Sequence, residues 1–213
     1  MRLSELSGRS GVSTATIKYY LREGLLPAGR RVSATQAEYD ESHVRRLRLI
    51  RALLQVGRLP VATAREVLHH ADDASLGRTM RLGAALWALP HGPDADEEAP
   101  ETAAAAAEVD RLLEALGWST AREIGALSPS HRSLVASLAT LLRLGYPCPE
   151  DRLAEYARLM HAAAVRDLDL MESHPTETEQ VEMAVAAAVL YEPVLTALRR
   201  LAQEEESARR YGL

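Results

Sequence analysis

The chain has 213 residues, 25 Lys and Arg against 30 Asp and Glu, a net charge of −5 and one cysteine, Cys148. That length allows two modest domains, each with its own core, while a single cysteine excludes an internal disulfide or a thiolate-pair metal site and points to a reduced, cytoplasmic setting. The N-terminus carries no apolar signal core and no apolar run approaches the roughly 18 residues of a membrane span, so no membrane association is expected.

Charge is unevenly spread. Residues 1–70 carry 12 Lys or Arg and 6 acids, whereas the remaining 143 residues carry 13 and 24. A basic head on an acidic body suits a DNA-binding module joined to a separate one, because only the head must offset phosphate charge.

Leu3 to Arg9 reads as a short helix that Gly11 breaks. Ser13 caps a second helix running to Glu23, and Gly24 with Pro27 ends it. Ile17, Tyr20 and Leu21 fall on one side of this helix and can pack on Leu3, Leu6 and Val12. Ala15, Lys18, Tyr19 and Arg22 fall on the other, flanked by Thr14 and Thr16. Such a face offers donors and cations, as a helix in a DNA major groove must. Taken alone, an ordinary amphipathic helix hairpin with solvated charges presents the same pattern.

Residues 28–40, AGRRVSATQAEYD, lack a helical stripe and predict a two-strand wing or loop, with Arg30 and Arg31 at its tip for backbone phosphates. Asp40 or Ser42 caps a helix over 41–56 that buries Val44, Leu47, Ile50 or the stem of Arg51, Leu53 and Leu54. Gly57 ends it, leaving Arg45, Arg48 and Arg58 to solvent or phosphate. Pro60 opens a helix from Val61 to His70, with Ala64, Val67 and Leu68 inward.

These residues carry a resemblance. Leu3-Ser4-Glu5-Leu6, Gly11-Val12-Ser13, Ile17-Lys18-Tyr19-Tyr20 and Gly24-Leu25-Leu26-Pro27 resemble the first helix, turn, recognition helix and helix end of the MerR family of bacterial transcription regulators. Arg46 to Ile50, Gly57 to Pro60 and Ala64 to Leu68 resemble that family's second helical pair, so the likeness covers about residues 2–70. It implies a winged helix-turn-helix whose recognition helix enters the major groove. Lys18 stands where the family usually has arginine, keeping the charge but losing the bidentate fork. Tyr19 and Tyr20 match paired tyrosines, one of which supports a phosphate while the other serves the core; periodicity puts Tyr19 outward. In the wing, Thr35-Gln36-Ala37 replaces the common Gly-Tyr-Arg. Tyr39 is kept, and Arg30 and Arg31 are left to supply the phosphate contact. The resemblance further implies a homodimer on a near-palindromic promoter operator, double-stranded DNA as partner, and RNA polymerase acting on a distorted promoter. Plain repression by occlusion fits the residues equally well.

Asp72 or Asp73 caps a helix over 74–89 in which Leu76, Met80, Gly83 and Trp87 lie near heptad spacing, where the family places its dimerisation helix; Pro90 stops it early. Residues 91–100 form an acidic linker bearing Pro and Gly. The organisation expected is therefore a DNA-binding domain over 1–72, a dimerisation helix and linker over 73–100, and an effector or dimerisation domain over 101–213. The fold class is all-α with a small β wing, ending in an α-helical bundle.

Within that bundle Thr102 to Leu116 ends at Gly117. Ser128 and Pro129 start a helix carrying Leu134, Leu138, Leu141 and Leu142, and Pro149 opens one carrying Leu153, Tyr156, Met160, Ala163, Ala164 and Leu168. His174-Pro175 makes a turn, and Thr176 begins a long helix in which Pro193 should cause a kink or break near Leu190. The last stretch, Tyr191 to Leu195 and Ser207 to Gly212, resembles C-terminal modules on MerR-like heads of actinobacterial proteins. No Glu-x-x-His pair, Gly-rich phosphate loop or nucleophile set is spaced for chemistry, and His131, His161 and His174 are scattered. No catalytic residue, metal or cofactor is expected, and the chain does not read as an enzyme. Trp118, Tyr156, Met160, Tyr191 and a buried Glu192 are candidates for a small-molecule effector pocket, although packing accounts for each one. The alternative is an accessory or architectural DNA-binding protein whose helical domain docks a protein partner and senses no ligand.

Overall fold

The computed structural model describes residues 1–33, 36–92, 94–146 and 149–212; the expectations placed on Thr35 and Cys148 lie outside the described residues. Helix α1 (Leu3–Ser10) ends where Gly11 adopts a φ of 66° and donates its N–H to Ser7 O. Helix α2 (Thr14–Arg22) begins at Ser13, whose hydroxyl accepts the Thr16 N–H at 3.1 Å, the expected cap. Strands β1 (Arg30–Arg31) and β2 (Ala37–Glu38) pair antiparallel, Arg30 opposite Glu38, and form the wing.

Helix α3 (Glu41–Arg51) starts from a capping box. The Asp40 carboxylate accepts the Ser42 N–H at 3.0 Å, and the Asp40 N–H donates to His43 Nδ1 at 3.2 Å. Hydrogen bonds from Ser42 and then His43 hold the Asp40 carboxyl well below the usual carboxylate range. Replacing Asp40 by Ala should cost about 1 kcal/mol in urea unfolding at pH 7. Because a depressed carboxyl stabilises only while ionised, that difference should fade as the pH drops below about 4.

One π-helical turn (Ala52–Val56) continues α3, and here glycine serves otherwise than expected. Gly57 has an ordinary φ of −69°, and the left-handed position is Arg58 at 52°. What demands glycine is space. A Cβ on Gly57 would lie 2.7 Å from Leu59 Cδ1, 2.8 Å from Val189 Cγ1 and 2.9 Å from Leu53 O. Helix α4 (Val61–Asp72) follows, then α5 (Arg78–Trp87). The helix expected from residue 74 begins four residues later, because the Asp73 carboxylate accepts the Ser75 N–H at 3.0 Å and makes a turn instead. Arg81 and Ala85 face inward on α5, Arg81 donating Nε to Ala71 O at 3.0 Å, whereas Met80 and Trp87 of the heptad stripe are exposed.

The chain divides into two units, Met1–Leu89 with Leu170–Leu213, and Pro90–Asp169. Residues 170–213 thus group with the head, whereas the sequence pattern places 101–213 together. The cause is α10 (Glu177–Tyr211), whose fully buried Val181 and Val185 join Leu6, Ile17, Leu47, Ile50, Leu53 and Val67 in one core. An amphipathic stripe does not announce which neighbour it will cover.

In the other unit, α6 (Pro100–Leu116) ends at Gly117 as expected, followed by α7 (Ser119–Ile124), which the periodicity does not reveal. Helix α8 (Pro129–Arg143) starts at Ser128, whose hydroxyl accepts the His131 N–H. Ala105, Val109 and Leu113 of α6 meet Val135, Leu138 and Ala139 of α8 in a small core, while Leu142 is exposed. Helix α9 spans Glu150–Glu172; its expected core face is largely open, with Tyr156, Met160 and Leu168 about half exposed.

Helix α10 runs unbroken through Pro193, so of the kink or break expected near Leu190 the break is absent. It also contains an 18-residue window of mean hydropathy 1.6, making it the one helix among the described residues long and apolar enough to cross a membrane. The expectation considered uninterrupted apolar runs, and this window is not one: Glu182 and Glu192 lie inside it, and its mean is carried by the valines, leucines and alanines around them. Its buried residues, Val181, Val185 and Ala187, lie in the first part of the helix.

Candidate nucleic-acid interface

Ile17 and Tyr20 are drawn into the core by their three-residue spacing, which turns the opposite face of α2 outward. Thr14, Ala15, Lys18 and Arg22 are exposed there, with Thr16 half-buried at the edge. Tyr19 is half-buried, and the Arg22 guanidinium carbon sits 5.3 Å from its ring centroid, a cation–π contact that holds Arg22 along the helix surface. Tyr19 is therefore the outward member of the pair, in agreement with the periodicity.

Of the tyrosines offered for the DNA surface, Tyr20 takes the core side that its spacing predicts, and Tyr39 is buried as well. Tyr20 is 6% exposed, and burial pushes its phenol pKa above the ordinary value. Tyr39 is 8% exposed, its ring edge-on to His43 at 5.1 Å between centroids. Tyr39 ties the wing to the head instead, its N–H donating to Met1 O at 2.8 Å while the Met1 ammonium donates to Tyr39 O at 2.7 Å. In both cases the ring adds apolar area to the leucine- and isoleucine-rich core of the head.

On the wing, Arg30 and Arg31 are both exposed, and Arg30 forms an ion pair with Glu38 across the strands. Several other head cations serve the fold. Arg9 pairs with Glu41, and Arg45, expected to face solvent or phosphate, contacts Glu179 at 3.0 Å. Arg65 on α4 donates Nε to Glu23 O at 2.7 Å and pairs with the Glu23 carboxylate at 3.0 Å. That bridge ties the C-terminal end of α2 to α4, and no sequence spacing pairs residue 65 with residue 23. Arg48 and Arg58 are exposed, as expected.

Arg46 lies deepest, at 4% exposure. Its Nη1 donates to Asp72 at 3.0 Å, Nη2 donates to the other Asp72 oxygen, and Nε donates to Glu182 at 3.0 Å. Burial disfavours its charge, but the two carboxylates outweigh that and raise its pKa. Glu182 receives only one of the three donors, so burial prevails over Arg46 there and its carboxyl pKa is raised.

The expected effector residues are scattered. Trp118 is half-buried with its ring 6.0 Å from His161. Tyr191 is about 40% exposed, and Glu192, expected buried, is at the surface because α10 has left the core by that turn. A cleft of about 420 Å³ lies in residues 101–169, lined by Leu113, Glu114, Gly117, Ser119, Arg122 and Glu123, none of them an expected effector residue.

Residues 1–71 match the family described as MerR HTH family regulatory protein. The nodulation protein NolA of Bradyrhizobium sp. (strain NC92) is 38% identical over 56 residues, a stretch that spans 26% of this chain and 24% of NolA. A crystal structure of the "putative transcriptional regulator SCO5550 from Streptomyces coelicolor A3(2)" is 67% identical with a TM-score of 0.87, covering 100% of this chain and 99% of that one. With a capped recognition helix, a two-stranded wing and a full-length relative of the same fold, the chain belongs to the MerR family of helix-turn-helix transcription regulators.

Proposed function

We propose that the protein is a cytoplasmic, sequence-specific regulator that binds a near-palindromic promoter operator as a homodimer. The observation that carries this is the outward face of α2, where Thr14, Ala15, Lys18 and Arg22 are exposed opposite a buried Ile17 and Tyr20. Those residues, with Thr16 and Tyr19, face the bases and nearby phosphates, and Arg30 and Arg31 reach the backbone alongside. Two copies related by a two-fold axis read half-sites about one helical turn apart or a little more. The exposed Met80 and Trp87 on α5 suit a partner copy, and RNA polymerase is the protein partner at the promoter.

Binding of fluorescent operator and scrambled DNA over a range of salt tests this. Lys18→Ala should lower the ratio of operator to scrambled affinity by about 10- to 100-fold, the discrimination that one base contact per half-site supplies. Arg30→Ala with Arg31→Ala should weaken both DNAs alike and flatten the salt dependence by roughly 0.9 for each phosphate no longer neutralised. An unchanged operator preference in Lys18→Ala would overturn the assignment of α2.

A further inference from the structure

Between α3 and the first turns of α10, within the head's own unit, lies a cleft of about 240 Å³. Its wall is apolar, with Leu49 and Ala52 on one side and Met183 and Ala186 on the other. Three lining residues bring buried polar atoms without a hydrogen-bond partner: Arg45 Nε, Glu179 Oε2 and His174 Nε2. Arg45 Nε is 3.9 Å from Glu182, an ion-pair distance beyond hydrogen-bond reach, because Arg45 spends its Nη2 on the other Glu179 oxygen. Buried polar groups are nearly always satisfied, so three orphans on one cleft call for a common explanation.

Their chemistry says what fits. Arg45 Nε is a donor, Glu179 Oε2 an acceptor, and His174 Nε2 either, according to its tautomer. Arg45 and Arg48 balance Glu179 and Glu182 around the lining, so a net charge on the guest finds no surplus partner. The volume is below the roughly 300–1,000 Å³ of drug-sized sites but above an apolar void of about 150 Å³ that admits benzene. We propose that this cleft binds a small neutral primary amide with a body the size of one aromatic ring: its carbonyl accepts from Arg45 Nε, and its two N–H groups donate to Glu179 Oε2 and to the unprotonated His174 Nε2. The site is separate from the DNA-facing side of α2, and the proposal stands whether or not that face reads an operator.

The probe is benzamide, with benzoate and benzylamine as charged isosteres, added to the full chain carrying 13C-labelled methionine methyls. The Met183 signal should move saturably with benzamide, with a Kd on the order of 1 mM for so small a ligand, and the isosteres should bind at least about tenfold more weakly. Benzamide ring protons should show nuclear Overhauser contacts to the Met183 methyl. Ala186→Leu, which fills the cleft, should weaken the response at least about tenfold while the Met80, Met160 and Met171 signals report an unchanged fold. An unmoved Met183, missing Overhauser contacts, or equal binding of all three probes would overturn the site.

Discussion

A chain ending at Glu172 should lose about 3–6 kcal/mol of stability in the head, since Val181 and Val185, both fully buried in it, go with the deleted helix. Against a usual margin of about 5–15 kcal/mol, that is from about a fifth of the head's stability to all of it. Hydrogen exchange at the Leu47 and Ile50 amides of α3 reads the effect directly, with protection falling by about two to four orders of magnitude if those amides open with the head. Unchanged protection would show that α10 is an accessory to a self-sufficient head.

Replacing Arg46 by Met should cost about 3–5 kcal/mol at pH 7, because it strands the buried Glu182 carboxylate and takes both donors from Asp72. Adding Glu182→Leu should restore most of that loss, since an apolar pair of similar volume carries no desolvation penalty. The pH dependence follows from Glu182, whose carboxyl pKa burial already raises above its unfolded value. A raised carboxyl stabilises the fold while protonated and ceases to as the pH climbs through its folded pKa. The Arg46→Met deficit, measured by urea unfolding, should therefore shrink as the pH is lowered from 7 toward 4. A deficit independent of pH would show that the guanidinium's packing, and not its charge, is what matters.

The head is largely legible in the sequence because its signals are local. Ser13 as a cap, Gly11 as a helix stop, and the lack of a helical stripe over residues 28–40 each depend on neighbours a few residues away. Packing that depends on distant chain segments is not legible. Nothing in residues 101–213 marks Val181 and Val185 as belonging to the head, since the Ala- and Val-rich stripe of α10 would suit any apolar neighbour. The roles of Tyr19, Tyr20 and Tyr39 stay open in the sequence because a phenol suits a phosphate as well as a core, and only the burial of each ring decides between those uses. Counting charge likewise overstates what the head can offer to DNA: Arg45 and Arg46 raise the formal positive charge yet face carboxylates within the protein.

Gly57 lies where a single added carbon would collide with Val189 of α10 and with Leu59 and Leu53 of its own segment. Heads of this architecture are consequently not interchangeable parts. A chimera that joins this C-terminal helix to a head from another regulator inherits the lock only if that head has glycine at the matching position; with any other residue the two pieces meet at a steric bar one methyl group thick.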